Sequence, residues 1–535
     1  VISDCSISAI PHRDTGFFSD LVTDYLDQKS QLNGFFEFSP DDDGLKKAIE
    51  ARKRFPVNRT LLADTLKEQY AGYDLPNIVL ANIEALRLDN TFTICTAHQP
   101  NLMTGYLYFV YKIIHTVKLA RHLQAKYAQY NFVPVFYIGS EDNDFDELSV
   151  FRYGGIRYKW QTEQRGAVGR MKTDDIHDLI RQLFSLIGPP GKNADELKEI
   201  IETAYLRHTT ITAATRYIVN ALLGHMGVVV IDPDHHKLKQ EFIPVLKQEL
   251  LAPVAYDLVE KVSAQLNVHY KAQAFARPIN LFYLKDDIRE RIERNGDKWQ
   301  VLKTDISWNQ SDLIKEVEEY PERFSPNVIL RGVFQETILP DIAFIGGGSE
   351  VAYWLQLKTT FHHYNTFFPA LILRQSFLWA DKHAVSLQAK TGLSDKEMFW
   401  PSEQLTRYFV QKHSNKDLEL EEARRDLSEL FDKIKNKAVA VDDTLRSSAE
   451  AALTKMRYQV DIIEKKMMRA EKRNMAEELA RIYKLKALLF PNNSLQERYE
   501  TFMPYFISKG FSYFDNLLEA TRPYGDSFVL IKEMD

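Results

Sequence analysis

The chain has little cysteine, no long apolar run and no large excess of either charge, and each shortage removes a class of protein. Two cysteines in 535 residues, Cys5 and Cys95, can build neither a disulfide framework nor a cysteine-rich zinc site. Cys95 falls inside an apolar β-rich stretch, where a buried and inert thiol is expected. No uninterrupted apolar run reaches the roughly 18 residues that span a bilayer, and the opening Val1-Ile-Ser-Asp-Cys has no basic or long apolar leader. A cytoplasmic protein with no membrane partner is therefore expected. A net charge of −6 argues against a nucleic-acid partner, which would ask for a basic excess or patch. Glycine and proline are both absent from 402 to 490, so nothing in that stretch breaks a helix.

What is present is ordinary for a globular chain, 45% hydrophobic and 12% aromatic, but 535 residues exceed one compact core. Two or three domains are expected. The densest stretch runs from Thr93 to Lys112. Residues 92–96 read as a buried strand, His98-Gln99-Pro100-Asn101 as a polar loop, and Thr104-Gly105 as a helix start with Thr104 a candidate N-cap. Tyr108, Lys112 and His115 then share one helical face. Residues 132–138 form a second apolar β run, ending in Gly139-Ser140-Glu141-Asp142-Asn143-Asp144. Strand, crossover helix and strand make a βαβ unit with parallel strands, and ligands bind at the carboxyl ends of such strands.

Two more apolar strands end in polar loops. Residues 227–231 precede Asp232-Pro233-Asp234-His235-His236, and residues 340–345 precede Gly346-Gly347-Gly348-Ser349-Glu350. Residues 369–374 supply a last strand ending at Arg374. Residues 1 to about 90 look helical and polar. The Gly-, Arg- and aromatic-rich stretch 151–170 reads as strands or loops outside the sheet, a candidate anion-binding patch or a solvated insertion. Helical patterning covers 173–223, interrupted at Gly188-Pro-Pro-Gly191, and 264–321 breaks into short alternating pieces typical of a small antiparallel sheet. In the breaker-free stretch Leu427, Leu430, Ile434 and Val441, then Leu453, Met456, Val460, Ile463, Met467 and Ala470, keep heptad spacing. That is coiled coil, either one rod or a hairpin hinged near Ser447-Ser448. The aromatic tail after Tyr499 is expected to return to the main body.

Four polar loops at the ends of parallel strands point to one small-molecule site. His98 is a candidate base or substrate hydrogen-bonder, and Lys112 a candidate to neutralise a phosphate or carboxylate. Glu141, Asp142, Asp144 and Asp146 are close enough in sequence to hold Mg²⁺, or to cap a helix and recognise an amine. Arg331 and Arg374 are candidate partners for those carboxylates. The Asp232 to His236 loop reads as helix capping ahead of metal ligation.

At these stretches the sequence resembles the bacillithiol biosynthesis cysteine-adding (BshC) family. The matching motifs are Gln99 with Thr104-Gly105-Tyr-Leu-Tyr108 and Lys112; Gly139-Ser-Glu141-Asp142-Asn-Asp144; and Pro321-Glu-Arg-Phe-Ser-Pro-Asn327. Arg331 with Gln335-Glu336, and Gly346-Gly-Gly-Ser-Glu350 with Tyr353-Trp354, follow in order. The chain departs from the family's pattern at Thr96-Ala-His98-Gln99-Pro100-Asn101, where many members carry a Gly-Gly-Gln-Gln-like loop, and at Arg331-Gly332. The resemblance implies an α/β fold: a Rossmann-like parallel sheet core over 1–385 with insertions at about 151–200 and 264–321, a helical coiled-coil domain over 386–498 supporting a homodimer, and a tail over 499–535. It implies a ligase that joins cysteine to the amine of glucosaminyl-malate. Activating a free carboxylate calls for ATP or another nucleotide, possible with Mg²⁺. On this reading His98, Lys112, Glu141 and Asp144 are catalytic candidates. Gln99, Asn101, Thr104, Gly105, Tyr108, Asp142, Asn327, Arg331, Gln335, Gly346, Gly347, Gly348, Glu350, Tyr353 and Arg374 are substrate-binding candidates. The alternatives are a dimeric nucleotide-binding scaffold and a nucleotidyltransferase with another acceptor.

Overall fold

The computed structural model describes residues 5–188, 190–416 and 418–534. The opening residues 1–4 and Pro189 of the helical interruption lie outside the described residues. The strands, in chain order, are β1 (Cys5–Ile10), β2 (Thr91–His98), β3 (Asn131–Ile138), β4 (Val150–Tyr153), β5 (Ile156–Lys159), β6 (Val229–Ile231), β7 (Leu281–Lys285), β8 (Ile288–Asn295), β9 (Lys298–Val301), β10 (Ser307–Trp308), β11 (Phe324–Pro326), β12 (Asp341–Gly346), β13 (Ala370–Leu373), β14 (Phe377–Ala380) and β15 (Phe528–Glu533). The chain divides into two compact units, one of residues 1–379 with 495–531 and one of 380–494 with 532–535.

The first unit is built on a five-stranded sheet in the order β13-β12-β2-β3-β6, with the pairs β12–β13, β12–β2, β2–β3 and β3–β6 all parallel. β2 pairs with β3 in unbroken register from Thr91 opposite Asn131 to His98 opposite Ile138. These strands carry apolar and β-branched residues at successive positions because helices cover both faces. Phe92 and Ile94 enter one apolar cluster with Leu45, Ile49, Leu119 and Leu123. Cys95 and Ala97 point the other way, into a cluster with Phe109, Ile113 and Val135. From β2 the chain builds outward to β3 and β6, then returns to the other side of β2 for β12 and β13. The reversal puts a crevice beyond the carboxyl ends of β2 and β12, the switch point where open α/β sheets bind ligands.

Three expectations need correction. The first 90 residues are not wholly helical, because Cys5–Ile10 is a strand in the three-stranded sheet β1-β15-β14. Its neighbour lies at the far end of the chain, so no local pattern announces it. The stretch 151–200 is not wholly outside the core: β4 and β5 form a hairpin turning on Gly154 and Gly155, both at positive φ. The helices His177–Leu186 and Lys192–Arg207, however, bury Leu183, Leu197 and Ile201 in the main core. The second insertion is the expected antiparallel sheet, β10-β9-β8-β7-β11, but it closes on β11, beyond residue 321.

In the second unit the described residues of the breaker-free stretch form four helices, and the two long middle ones make a hairpin. The helices Glu421–Val441 and Leu445–Asn474 are joined by a turn in which the Asp442 carboxylate accepts the Thr444 N–H at 2.8 Å. Arg424 bridges to Asp461 at 2.8 Å and Glu464 at 2.7 Å across the pair. Ser447 and Ser448 lie inside the second helix, so the hinge comes before them. Among the described residues no side chain of Glu421–Val441 is buried, and Leu430, Ile434, Val441, Met456 and Ile463 are exposed. No described helix is long and apolar enough to cross a membrane.

Candidate active site

A cavity of about 430 Å³ opens at the switch point. Its walls come from the ends of β2, β3 and β12, from the helix Leu107–Lys126, from β8, from the helix Val328–Ile338 and from Arg498 of the C-terminal return.

His98 ends β2 and lines the cavity. Its ring packs edge-on against Tyr108 and Phe109, and Nε2 is sealed from solvent with no hydrogen-bond partner. Burial, followed by the charges of Lys112 and Arg374, pushes its pKa far below the usual histidine value. The imidazole is therefore neutral at pH 7 and a poor proton acceptor. It serves better as a fixed hydrogen-bonding group than as the base considered above.

The next residues are structural. Asn101, Thr104 and Gly105 are buried in a tight turn and none lines the cavity. Met103, Thr104 and Gly105 all take positive φ, and a Cβ on Gly105 would meet the Asn101 Cβ at 2.9 Å, so only glycine fits. The Gly105 N–H is spent on Leu102 O at 2.9 Å. Thr104 is not the helix cap, since the helix starts at Leu107, whose N–H is taken by Glu500 O at 2.8 Å. The loop is thus no phosphate cradle.

Lys112, one turn beyond Tyr108, is buried with Nζ 3.0 Å from Ala97 O and ion-paired to Glu350. Burial lowers its pKa and Glu350 opposes the shift. Glu350 also accepts the Gly347 N–H at 2.8 Å, which ties the glycine loop to the ammonium. Gly347, Gly348 and Tyr353 line the cavity, whereas Gly346 is the last residue of β12 and does not. His115 faces away, bonded to Pro523 O and the Gln375 N–H.

Glu141 follows β3 and pairs with Lys239, which is fully buried and also donates to Phe324 O at 2.8 Å. Burial pushes the Glu141 carboxyl up, with Lys239 pulling it back. Gln99 donates to Asp142 at 3.1 Å, so the first two loops meet. Asp144 and Asp146 leave the site: Asp144 caps the short helix Phe145–Leu148, and Asp146 pairs with Lys159 at the surface. Of the Asp232 to His236 loop only Pro233 reaches the cavity, because Asp232 accepts from Ser140 and Asp234 forms a two-pronged pair with Arg170 at 2.6 Å. That pair also neutralises Arg170, and no residue of 151–170 lines the cavity. Among the described residues no three His, Cys, Asp or Glu side chains cluster to hold a metal.

Asn327 lines the cavity and caps the helix Val328–Ile338. Arg331, one turn on, donates to Gln335 and Tyr353, both at 3.1 Å. Gln335 itself is buried behind Arg331 and does not line the cavity; its amide donates to Glu336 and Asp341. Arg374 meets Glu497 through two contacts, 2.9 Å and 2.5 Å. Sequence reasoning missed Tyr137, Glu147, Arg289, Arg498, Glu497 and Lys239. Two of them act through partners distant in sequence, 98 residues for Lys239 with Glu141 and 123 for Glu497 with Arg374, and no spacing rule reaches that far.

The motif order that suggested a family has now been joined by its geometry. Residues 6–375 match the family described as Bacillithiol biosynthesis BshC, N-terminal Rossmann-like domain, and residues 377–533 match its C-terminal coiled-coil domain. The chain belongs to the BshC family. BshC relatives carrying the provisional name cysteine ligase match along almost the whole chain. The Flavobacterium johnsoniae protein is 38% identical over 531 residues, covering 99% of each chain. The Flavobacterium psychrophilum protein is 35% identical with the same coverage, and that of Cytophaga hutchinsonii is 38% identical over 95% of each. The parallel sheet and the helical hairpin described above are thus the two domains of a BshC protein, and the family places the chain in bacillithiol biosynthesis.

Proposed function

We propose that the chain is the ligase that joins the carboxyl group of cysteine to the amine of glucosaminyl-malate, with nucleotide-dependent activation of the carboxylate. The observation that carries this reading is a single cavity combining a buried carboxylate of raised pKa, Glu141, with the cations Lys112, Arg289, Arg331, Arg374 and Arg498. Activation puts a phosphoryl or adenylyl group on a cysteine carboxylate oxygen. The sugar nitrogen then attacks the carbonyl carbon, the new C–N bond forms, and the C–O bond to the phosphate breaks with its electron pair. The amine must shed a proton, and Glu141 is the group poised to take it, since burial raises the proton affinity of its carboxyl. Lys112 has three ammonium hydrogens, two held by Ala97 O and Glu350, which leaves one for oxyanion charge. The fit to nucleotide phosphates rests on these side-chain cations. Asp142 and Glu147, which line the cavity without an ion pair among the described residues, suit a Mg²⁺ that arrives on phosphates and keeps most of its waters.

Purified protein given glucosaminyl-malate, cysteine, ATP and Mg²⁺ should yield the cysteinyl amide by mass spectrometry. Glu141→Gln should cut the rate by about 10²- to 10⁴-fold, the range for a lost general base. A folded, nucleotide-binding protein that makes no amide would reject the ligase reading in favour of a scaffold. The reading includes a homodimer through the helical hairpin, supported by its exposed Leu430, Ile434 and Ile463 at heptad spacing. Light scattering should return twice the 62.1 kDa chain mass, and a monomer at micromolar concentration would refute it.

A further inference from the structure

A second, smaller cavity of about 200 Å³ lies against the first. The two share Gly348, Ser349, Arg374 and Arg498, so the start of the helix Gly348–Trp354 and two guanidinium groups form the partition. Beyond it the smaller chamber is lined by the buried aliphatic side chains Val22, Ala352, Leu373 and Leu495, with Phe17 and Phe18 beside them. Val22, on the helix Asp20–Leu26, packs over Gly348, where a Cβ would lie 3.4 Å from it. Exposed Ser19 and Gln273 add neutral oxygens to the lining. Of the two arginines, Arg374 is neutralised by Glu497, while Arg498 has no ion pair among the described residues.

Size restricts the occupant. Whole small-molecule ligands take pockets of roughly 300–1,000 Å³, so this chamber suits one side chain or a very small molecule. Position restricts it further. The partition adjoins the Lys112 ammonium, which pairs with Glu350, and a Cβ on Gly347 would lie 3.5 Å from both Glu350 Oε2 and Arg374 Nε. In the reading above, on which this inference rests, the activated carboxyl group reacts beside that ammonium. The side chain of the amino acid starts next to its carboxyl group, whereas the base of a nucleotide is held off by ribose and phosphates. We propose that the smaller chamber is the slot for the cysteine side chain, and that Val22 and Ala352 set its size. A thiol is a weak hydrogen-bonding group that buries as a small hydrophobe, which is what aliphatic walls accept. Arg498, on the partition, meets the carboxylate before it is activated, and Ser19 and Gln273 offer their oxygens to the ammonium.

The test measures KM for cysteine, glucosaminyl-malate and ATP separately on the full chain, with homocysteine, a methylene longer, as the competing amino acid. A hydrophobic slot separates side chains that differ by a methylene about 10- to 200-fold. Ala352→Val narrows the slot and should raise KM for cysteine about 10-fold or more, leaving the other two within about twofold. Val22→Ala widens it and should shrink the preference for cysteine over homocysteine by about 10-fold or more. An unchanged KM for cysteine in Ala352→Val, or a raised KM for ATP or glucosaminyl-malate instead, would overturn the slot. So would an unaltered preference in Val22→Ala. That variant only removes atoms, and its preference is a ratio within one preparation, so it decides the matter should Ala352→Val fail to fold. If the wild-type chain forms no amide, the ligase reading fails, and calorimetry with L-cysteine and L-homocysteine decides the slot alone. Cysteine binding weakened in Ala352→Val, with homocysteine binding gained in Val22→Ala, upholds it, and no binding of cysteine to the wild type ends it.

Discussion

Lys112→Met should destabilise the first unit by about 3 kcal/mol and abolish product formation, whereas Lys112→Met with Glu350→Gln should recover most of the stability and none of the activity. The ammonium is 3% exposed and has two partners, Ala97 O and the Glu350 carboxylate. Replacing it with an apolar chain of similar length fills the space but strands the carboxylate. Breaking a buried pair from one side costs about 3–5 kcal/mol. The lower end applies because the Glu350 side chain keeps 22% of its surface in solvent. Neutralising Glu350 as well removes the stranded charge, and a glutamine can still accept the Gly347 N–H. Activity is a separate matter, since the ammonium lines the cavity and keeps one hydrogen for oxyanion charge in the proposed reaction. Losing such a group typically costs about 10²- to 10³-fold. Urea unfolding followed by tryptophan fluorescence, with the amide assay, separates the two effects. A double variant as unstable as the single would show that the ion pair is not what Lys112 contributes, and a single variant with near-normal turnover would remove it from catalysis.

The second large effect concerns pH. Glu336 and Asp341 are buried together at the amino end of β12 and share the amide of Gln335, which donates to them at 3.0 Å and 3.1 Å. Thr93 also donates to Asp341, while Glu336 Oε2 has no partner. Burial, then the neighbouring carboxylate, pushes Glu336 well above the usual range, and burial raises Asp341 to about 6. Arg52 donates to the backbone oxygens of Glu336 and Leu339, so its charge offsets the pair only from a distance. Both carboxyls release protons more readily in the unfolded chain than in the folded one. The pair therefore favours the folded state below the unfolded pKa near 4, and that advantage is lost as pH rises through about 6. Stability should fall between pH 5 and pH 8. Glu336→Gln removes the more strongly raised of the two carboxyls and presents a permanent donor to Asp341, so it should flatten that slope and leave the variant more stable than the wild type at pH 8. Equal slopes for the variant and the wild type in urea titrations across this range would show that Glu336 does not carry the pH dependence. Because Gln335 also receives Arg331, the same variant reports whether the pair holds that guanidinium in place.

Much of the core was legible from the chain alone. The runs at 92–96, 132–138, 227–231, 340–345 and 369–374 all became strands of one parallel sheet, since an unbroken apolar β run is stable only when covered on both faces. Tyr108 and Lys112 share a cavity because helical spacing put them on one face. The limits came from the same source. The polarity of Asn101, Thr104 and Asp144 suggested a ligand, but a polar side chain serves a turn or a cap equally well, and only contacts decide which.

The sequence by itself determined the parallel sheet, the polar loops at its strand ends, the helical coiled-coil region and the family, because each of these depends on periodicity, spacing or motif order along the chain. That the coiled coil folds into a hairpin was decided by the structure. The tertiary structure alone decided which charges are spent and which are free. Lys239, Glu497 and Gln335 quench or brace groups at the cavity, while Arg289 reaches it from an inserted sheet and remains without a counter-ion among the described residues. Whether a charge is paired depends on what lies within a few ångströms of it in space, and in this chain those neighbours are often a hundred or more residues away.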